Sequence, residues 1–129
     1  QLQELAHRYL TELSGGQRQR ALIAMVFCQS TEYVLLDEPL NNLDMYYARN
    51  LMQLLRRLTD EHSRTTVVVL HDINQAAAYA DHVVAMKGGR VAMTGHPNDV
   101  FTAANIRELF DMDVDVLDYK GRKLVVHHV

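Results

Sequence analysis

The sequence is short of most residues that mark special architectures. Its 129 residues include one cysteine, Cys28, so no internal disulfide can form. Cys28 stands in an apolar helical run, which predicts a packed thiol in a reducing compartment. There are two prolines, six glycines and no tryptophan, and no Pro-, Gly- or Ser-rich linker or repeat divides the chain. Neither sign of charge dominates: 13 basic and 16 acidic residues are scattered along the chain, a formal net charge of -3. That excludes nucleic-acid binding through a basic stripe. The longest apolar run, Thr66 to Leu70, is far too short to cross a bilayer, and the first residues lack the basic-then-apolar pattern of a leader. Position 1 is glutamine, so we expect the natural N-terminus to lie upstream. What is present is 48% hydrophobic content, over a length able to bury one core.

Apolar periodicity orders the elements. Leu2, Leu5, Ala6, Tyr9, Leu10 and Leu13 follow helical spacing and predict the end of a helical element. The stretch Leu13-Ser14-Gly15-Gly16-Gln17 breaks that pattern. Ser14 and Gln17 form the polar pair of a capping box, predicting a helix from Ser14 to about Cys28. Tyr33 to Leu36 is a short apolar run that predicts a buried strand ending in Asp37-Glu38-Pro39, where Pro39 forbids further pairing. A helix over Met45 to Thr59 and a β-branched strand over Thr65 to Leu70 complete a strand-helix-strand unit of a parallel sheet. Beyond it we expect a short helix over Ile73 to Ala80 and a hairpin of Val83 to Met86 with Val91 to Thr94 through Gly88-Gly89. Helical pieces near Asn98 to Thr102 and Ala104 to Phe110 follow. A second hairpin, Val114 to Leu117 with Lys123 to His127, closes on Lys120-Gly121.

The polar residues of this frame have a common chemistry. Glycines at a helix start let backbone N–H groups approach an anion, and the helix adds a positive dipole end, so Ser14, Gly15 and Gly16 suit a phosphate. Read alone, the same residues make an ordinary serine-capped helix. Asp37 and Glu38 place two carboxylates at a strand end, the oxygen ligands a hard cation prefers. An acidic strand end facing solvent is the plainer alternative, disfavoured by the apolar residues before the pair and the proline after it. His71 leaves the second strand and can donate one hydrogen bond to an anion. His71-Asp72 could also open a metal-dependent phosphohydrolase site, but no further His and Asp ligands stand at suitable spacing. Asn41-Asn42-Leu43-Asp44 suits a helix cap. Arg18 and Arg20 read as a solvated basic face, and His127 with His128 as a strand end whose side chains diverge.

Four of these motifs in this order resemble the ATP-binding-cassette family. They are Leu13-Ser14-Gly15-Gly16-Gln17, Asp37-Glu38-Pro39, Asn41-Asn42-Leu43-Asp44 and His71. Asp37 follows Ser14 by 23 positions and His71 follows Glu38 by 33, spacings that suit the family. The resemblance implies an α/β fold, the C-terminal half of a P-loop (RecA-like) ATPase domain: a mainly parallel sheet flanked by helices, with β-hairpins near the C-terminus. It also implies roles. Asp37 resembles the Walker B aspartate that holds Mg²⁺ through water, and Glu38 the catalytic glutamate that orients the attacking water. His71 resembles the switch histidine at the γ-phosphate. Ser14, Gly15, Gly16 and Gln17 resemble the signature loop, which faces ATP held by the opposite subunit. Asp44 resembles the D-loop aspartate at the dimer interface.

One part of the family pattern is missing. A P-loop needs Gly-Lys and then Ser or Thr after a strand, and the three lysines here, Lys87, Lys120 and Lys123, all follow His71 without forming such a pair. The adenine-stacking aromatic and the glutamine loop are also absent. We therefore expect residues 1–129 to be a partial cassette domain that alone neither hydrolyses ATP nor binds it tightly. In the family the P-loop strand lies in the same sheet, so its absence predicts an exposed apolar face and self-association.

The segments Ile73 to Asp81, Thr94 to Thr102 and Asn105 to Phe110, with the tail Val114 to Val126, are similar to importer ATPases for ferric siderophores and related iron chelates. This resemblance implies a second ATPase subunit as partner, transmembrane permease subunits, and indirectly a solute-binding protein. It implies a peripheral place on the cytoplasmic face of the plasma membrane and no nucleic-acid partner. The cargo is not written in these residues. Two other classes keep the same motifs: a soluble cassette ATPase of repair or translation, and a non-catalytic module acting on another subunit's ATP.

Overall fold

The computed structural model describes residues 3–127. Leu2 and His128 therefore lie outside the described residues, with the readings given to them. The chain forms two compact units, one ending at Leu70 and the other starting at His71.

In the first unit, 3₁₀ turns at Gln3–Leu5 and Leu10–Glu12 stand where one helix was expected. The cause is local: Tyr9 N–H donates to Glu12 Oε2 at 3.0 Å, a side-chain contact that captures a backbone donor and restarts the chain. Helix α1 runs over Gly15–Cys28, strand β1 over Tyr33–Asp37, helix α2 over Met45–Glu61 and strand β2 over Thr65–Val69. β1 and β2 pair in parallel, Leu35 opposite Val67 and Asp37 opposite Val69, with α2 as the crossover. Ile23 and Phe27 of α1, Val34 of β1, and Ala48, Leu51, Met52 and Leu55 of α2 are buried.

Two expectations for this unit are corrected. Cys28 is exposed rather than packed. Ile23 and Phe27 set the inward face at i, i+4 spacing, and one further helical step carries Cys28, the last residue of α1, off it. The strands are buried on one face, not two. Val34 is 1% exposed, whereas Leu35 is 74% exposed and Tyr33, Val67 and Val69 are exposed with it. Alternation along the pleat puts these four on one side of the pair.

The second unit contains α3 (Ile73–Tyr79), β3 (Val83–Lys87), β4 (Arg90–Gly95), α4 (Pro97–Val100), α5 (Ala103–Phe110), β5 (Asp115–Tyr119) and β6 (Arg122–Val126). β3 pairs with β4 and β5 with β6, both antiparallel, so the expected hairpins are present. Their tips need positive φ at two successive residues, met by Gly88-Gly89 and by Lys120-Gly121. The core is Ala77, Val100, Phe101, Ile106 and Val125. Asn74 of α3 binds β6 as a neighbouring strand would: its Nδ2 donates to Val125 O at 3.0 Å and its Oδ1 accepts from Val125 N–H at 2.8 Å. The architecture is α/β, and among the described residues it holds one parallel pair and two antiparallel ones.

Candidate functional site

Ser14 caps α1 as its sequence predicts. Gln17 N–H donates to Ser14 Oγ at 3.4 Å, and Ser14 N–H donates back to Gln17 Oε1 at 3.1 Å. Ser14 and Gly15 are exposed, and Gly16 and Gln17 half-buried. Neither Gly15 nor Gly16 has the positive φ that favours glycine. A Cβ on Gly15 would meet nothing within 4 Å, and one on Gly16 would come no closer than 3.8 Å to a neighbour. Glycine in a helix costs up to about 1 kcal/mol relative to alanine. Neither conformation nor packing among the described residues calls for these two glycines. An open cavity of about 310 Å³ borders this helix start, lined by Ser14, Gln17, Arg20, Tyr46, Tyr47 and Asn50 among others.

The carboxylates sit where β1 ends. Asp37 is its last residue and is exposed; Glu38 follows, half-buried. Glu38 takes φ 47°, a left-handed backbone that is costly for a non-glycine residue and clusters at functional sites. Asn41 Nδ2 donates to Glu38 Oε2, and Asn41 N–H donates to Glu38 O at 3.2 Å. Gln19 Nε2 of α1 donates to Pro39 O at 2.9 Å, tying α1 to the loop beyond Glu38. Among the described residues no three or more His, Cys, Asp or Glu side chains converge as a metal cage. Magnesium on a triphosphate asks for less: it keeps several waters, takes phosphate oxygens and needs one or two carboxylates, which the exposed Asp37 with Glu38 beside it fits.

Asp44 caps α2: Tyr47 N–H donates to its Oδ1 at 2.9 Å. The Asp44 turn and the Gly16 helix start meet, because Leu43 and Tyr47 are the neighbours a Cβ on Gly16 would face. Arg20 is not the solvated residue its sequence implied. It is half-buried, its guanidinium carbon is 5.5 Å from the Tyr47 ring centroid, and its Nε donates to Gly16 O at 3.4 Å. Spacing held the clue, since Arg20 stands four residues after Gly16 and Tyr47 three after Asp44. Arg18 is exposed, as expected. His71 opens the second unit and is exposed; Asp72 caps α3, accepting from Asn74 N–H at 2.8 Å and Gln75 N–H at 3.2 Å. That capping role employs the carboxylate the phosphohydrolase alternative would need.

Comparison with known proteins gives a consistent picture. A family model described as ABC transporter matches residues 1–41. The petrobactin import ATP-binding protein YclP of Bacillus subtilis (strain 168) is 44% identical over 126 residues, covering 98% of this chain and 50% of the relative. The petrobactin import ATP-binding protein FatE of Bacillus anthracis is 50% identical over 116 residues, covering 90% of this chain and 46% of that protein. Among solved structures, a metal-chelate type ABC transporter in an inward-facing conformation superposes with a TM-score of 0.86 at 31% identity, over 97% of this chain and 52% of that one. The chain thus spans about half the length of the curated relatives it matches.

Proposed function

Because the chain belongs to the ATP-binding-cassette family, we propose that the protein it forms part of is the ATP-hydrolysing subunit of an importer, with a ferric siderophore or related iron chelate as cargo. The observation that carries the chemical part is the pair Gly15 and Gly16, whose absent side chains serve nothing among the described residues and leave a helix N-terminus open to an anion. The cargo rests on the relatives' names.

In this reading Ser14, Gly15 and Gly16 present amide and hydroxyl donors to the γ-phosphate of a nucleotide held by a second copy of the subunit, with Gln17 beside them. The Glu38 carboxylate accepts a hydrogen bond from the attacking water, orients it in line and raises its nucleophilicity. Asp37 would hold magnesium through its water ligands. Magnesium, when bound with the nucleotide, neutralises phosphate charge. His71 donates one hydrogen bond to the γ-phosphate, and Asp44 sits at the contact between the two subunits. Permease subunits receive the motion, and a solute-binding protein delivers the cargo. The subunit then lies peripherally on the cytoplasmic face of the membrane; no described helix is long and apolar enough to cross one. The 129 residues alone, without a P-loop, neither turn over ATP nor bind it tightly.

The test is Glu38→Gln in the full-length protein. It keeps shape and hydrogen bonding but loses the negative charge that polarises water, so turnover is expected to fall by about 10² or more with nucleotide binding retained. Turnover within a few-fold of the unaltered protein contradicts the proposal.

A further inference from the structure

The turn that carries Asp44 and the helix start that carries Gly16 are joined by two side chains that the hydrolysis reading does not use. Asp44 Oδ1 accepts from Tyr47 N–H at 2.9 Å and so fixes Tyr47 in the first turn of α2. The Tyr47 ring lies over Gly16, whose missing Cβ would stand 3.8 Å from Cδ1 of that ring and 3.9 Å from Leu43 Cδ2. Arg20 closes the circuit from the other side, stacking its guanidinium 5.5 Å from the ring centroid and donating from Nε to Gly16 O at 3.4 Å. Asp44, Tyr47, Arg20 and Gly16 therefore form a continuous chain of contacts within one unit.

We propose that Tyr47 and Arg20 are positioning residues that couple the Asp44 turn to the Gly16 end of α1, so that a shift of either is transmitted to the other. The geometry suits the task. A tyrosine ring has two side-chain torsions and moves as a rigid plate, and the guanidinium adds attraction to its face while its N–H holds the carbonyl of the residue beneath. Tyr47 is 43% exposed, so these contacts add little to the core and can serve alignment. The inference rests on the proposed function for its catalytic consequence, because that reading puts Gly16 at the nucleotide and Asp44 at the contact between the two subunits. The mechanical link does not depend on it.

Two measurements on the full-length protein, assembled with its permease, test the coupling. The first is ATPase kinetics of Tyr47→Leu, Tyr47→Phe, Arg20→Met and the double variant Tyr47→Leu/Arg20→Met. Leucine keeps an apolar contact without a ring face, so folding is preserved. Tyr47→Leu and Arg20→Met are each expected to lower kcat about fivefold, with KM for ATP within about twofold. The double variant falls no further than the lower single, since both break one circuit, and Tyr47→Phe restores kcat because the ring face is what acts. Losses that multiply, a kcat for Tyr47→Leu equal to the unaltered protein's, or a Tyr47→Phe as slow as Tyr47→Leu each overturn the proposal.

The second is amide hydrogen exchange without nucleotide. Tyr47→Leu is expected to speed exchange at the Gln17 and Arg18 amides, which donate to Ser14. Unchanged exchange there overturns the coupling whatever the kinetics. A Glu38→Gln control separates the two failures: if that variant still turns over ATP, the hydrolysis reading is at fault, while the exchange result still decides the link.

Discussion

At the scale of single residues, the site departs from what local stability favours. Glu38 holds a left-handed backbone that costs about 1–2 kcal/mol for a non-glycine residue. Gly15 and Gly16 sit in a helix where alanine would do better and where neither conformation nor space forbids it. Gly15→Ala and Gly16→Ala, at the first two positions of α1, are therefore expected to leave its stability unchanged or raise it by at most about 0.5 kcal/mol each, below the interior value, while lowering ATPase turnover of the full-length protein. Denaturant titration beside a turnover assay checks this. A variant both less stable and fully active would return these glycines to an ordinary structural role. The sequence made most of these residues visible, because glycine, serine and paired carboxylates stand out against an apolar pattern. Arg20 and Tyr47 were legible only through their spacing from Gly16 and Asp44, since a charged and an aromatic residue on helix surfaces otherwise look alike whether solvated or stacked.

At the scale of elements, capping and periodicity were legible and partnership was not. The Ser14–Gln17 box, the strand ending at Asp37, the crossover helix and both hairpins follow from spacing and turn chemistry. The first predicted helix gave way to 3₁₀ turns because Glu12 captures a backbone donor, a contact that apolar spacing does not register. An apolar helical run predicts a buried Cys28, but the helix turns its last residue outward. Asn74 is a third case. In sequence it is one polar residue in a short helix, yet its amide satisfies both backbone groups of Val125 in the second unit's core. Asn74→Ala leaves those groups without their partner, at an expected cost of about 2–3 kcal/mol. Faster exchange of the Val125 amide together with a lowered Tm is the expected signature; an unchanged Tm would show that β6 is held by pairing with β5 alone.

At the scale of the whole molecule, the β1–β2 pair decides how the chain behaves. A two-stranded sheet is marginal alone, and one face here shows Tyr33, Leu35, Val67 and Val69 to solvent. The missing P-loop strand already predicts an exposed apolar face; which residues form it follows from the register of the pair, because burial is a property of neighbours. Static light scattering of the 129-residue chain is expected to show concentration-dependent association, reduced by Leu35→Lys; a mass that stays monomeric at all concentrations would contradict it. The central claim concerns two copies: one copy's Asp37 and Glu38 manage a nucleotide that the other's Ser14, Gly15 and Gly16 clamp. Its most direct measurement is sedimentation of full-length Glu38→Gln protein with ATP, compared with the double variant Ser14→Arg/Glu38→Gln. The account predicts an ATP-dependent dimer for the first, and for the second a monomer that still binds ATP with unchanged affinity. A double variant that dimerises with ATP as well as the single one would contradict it.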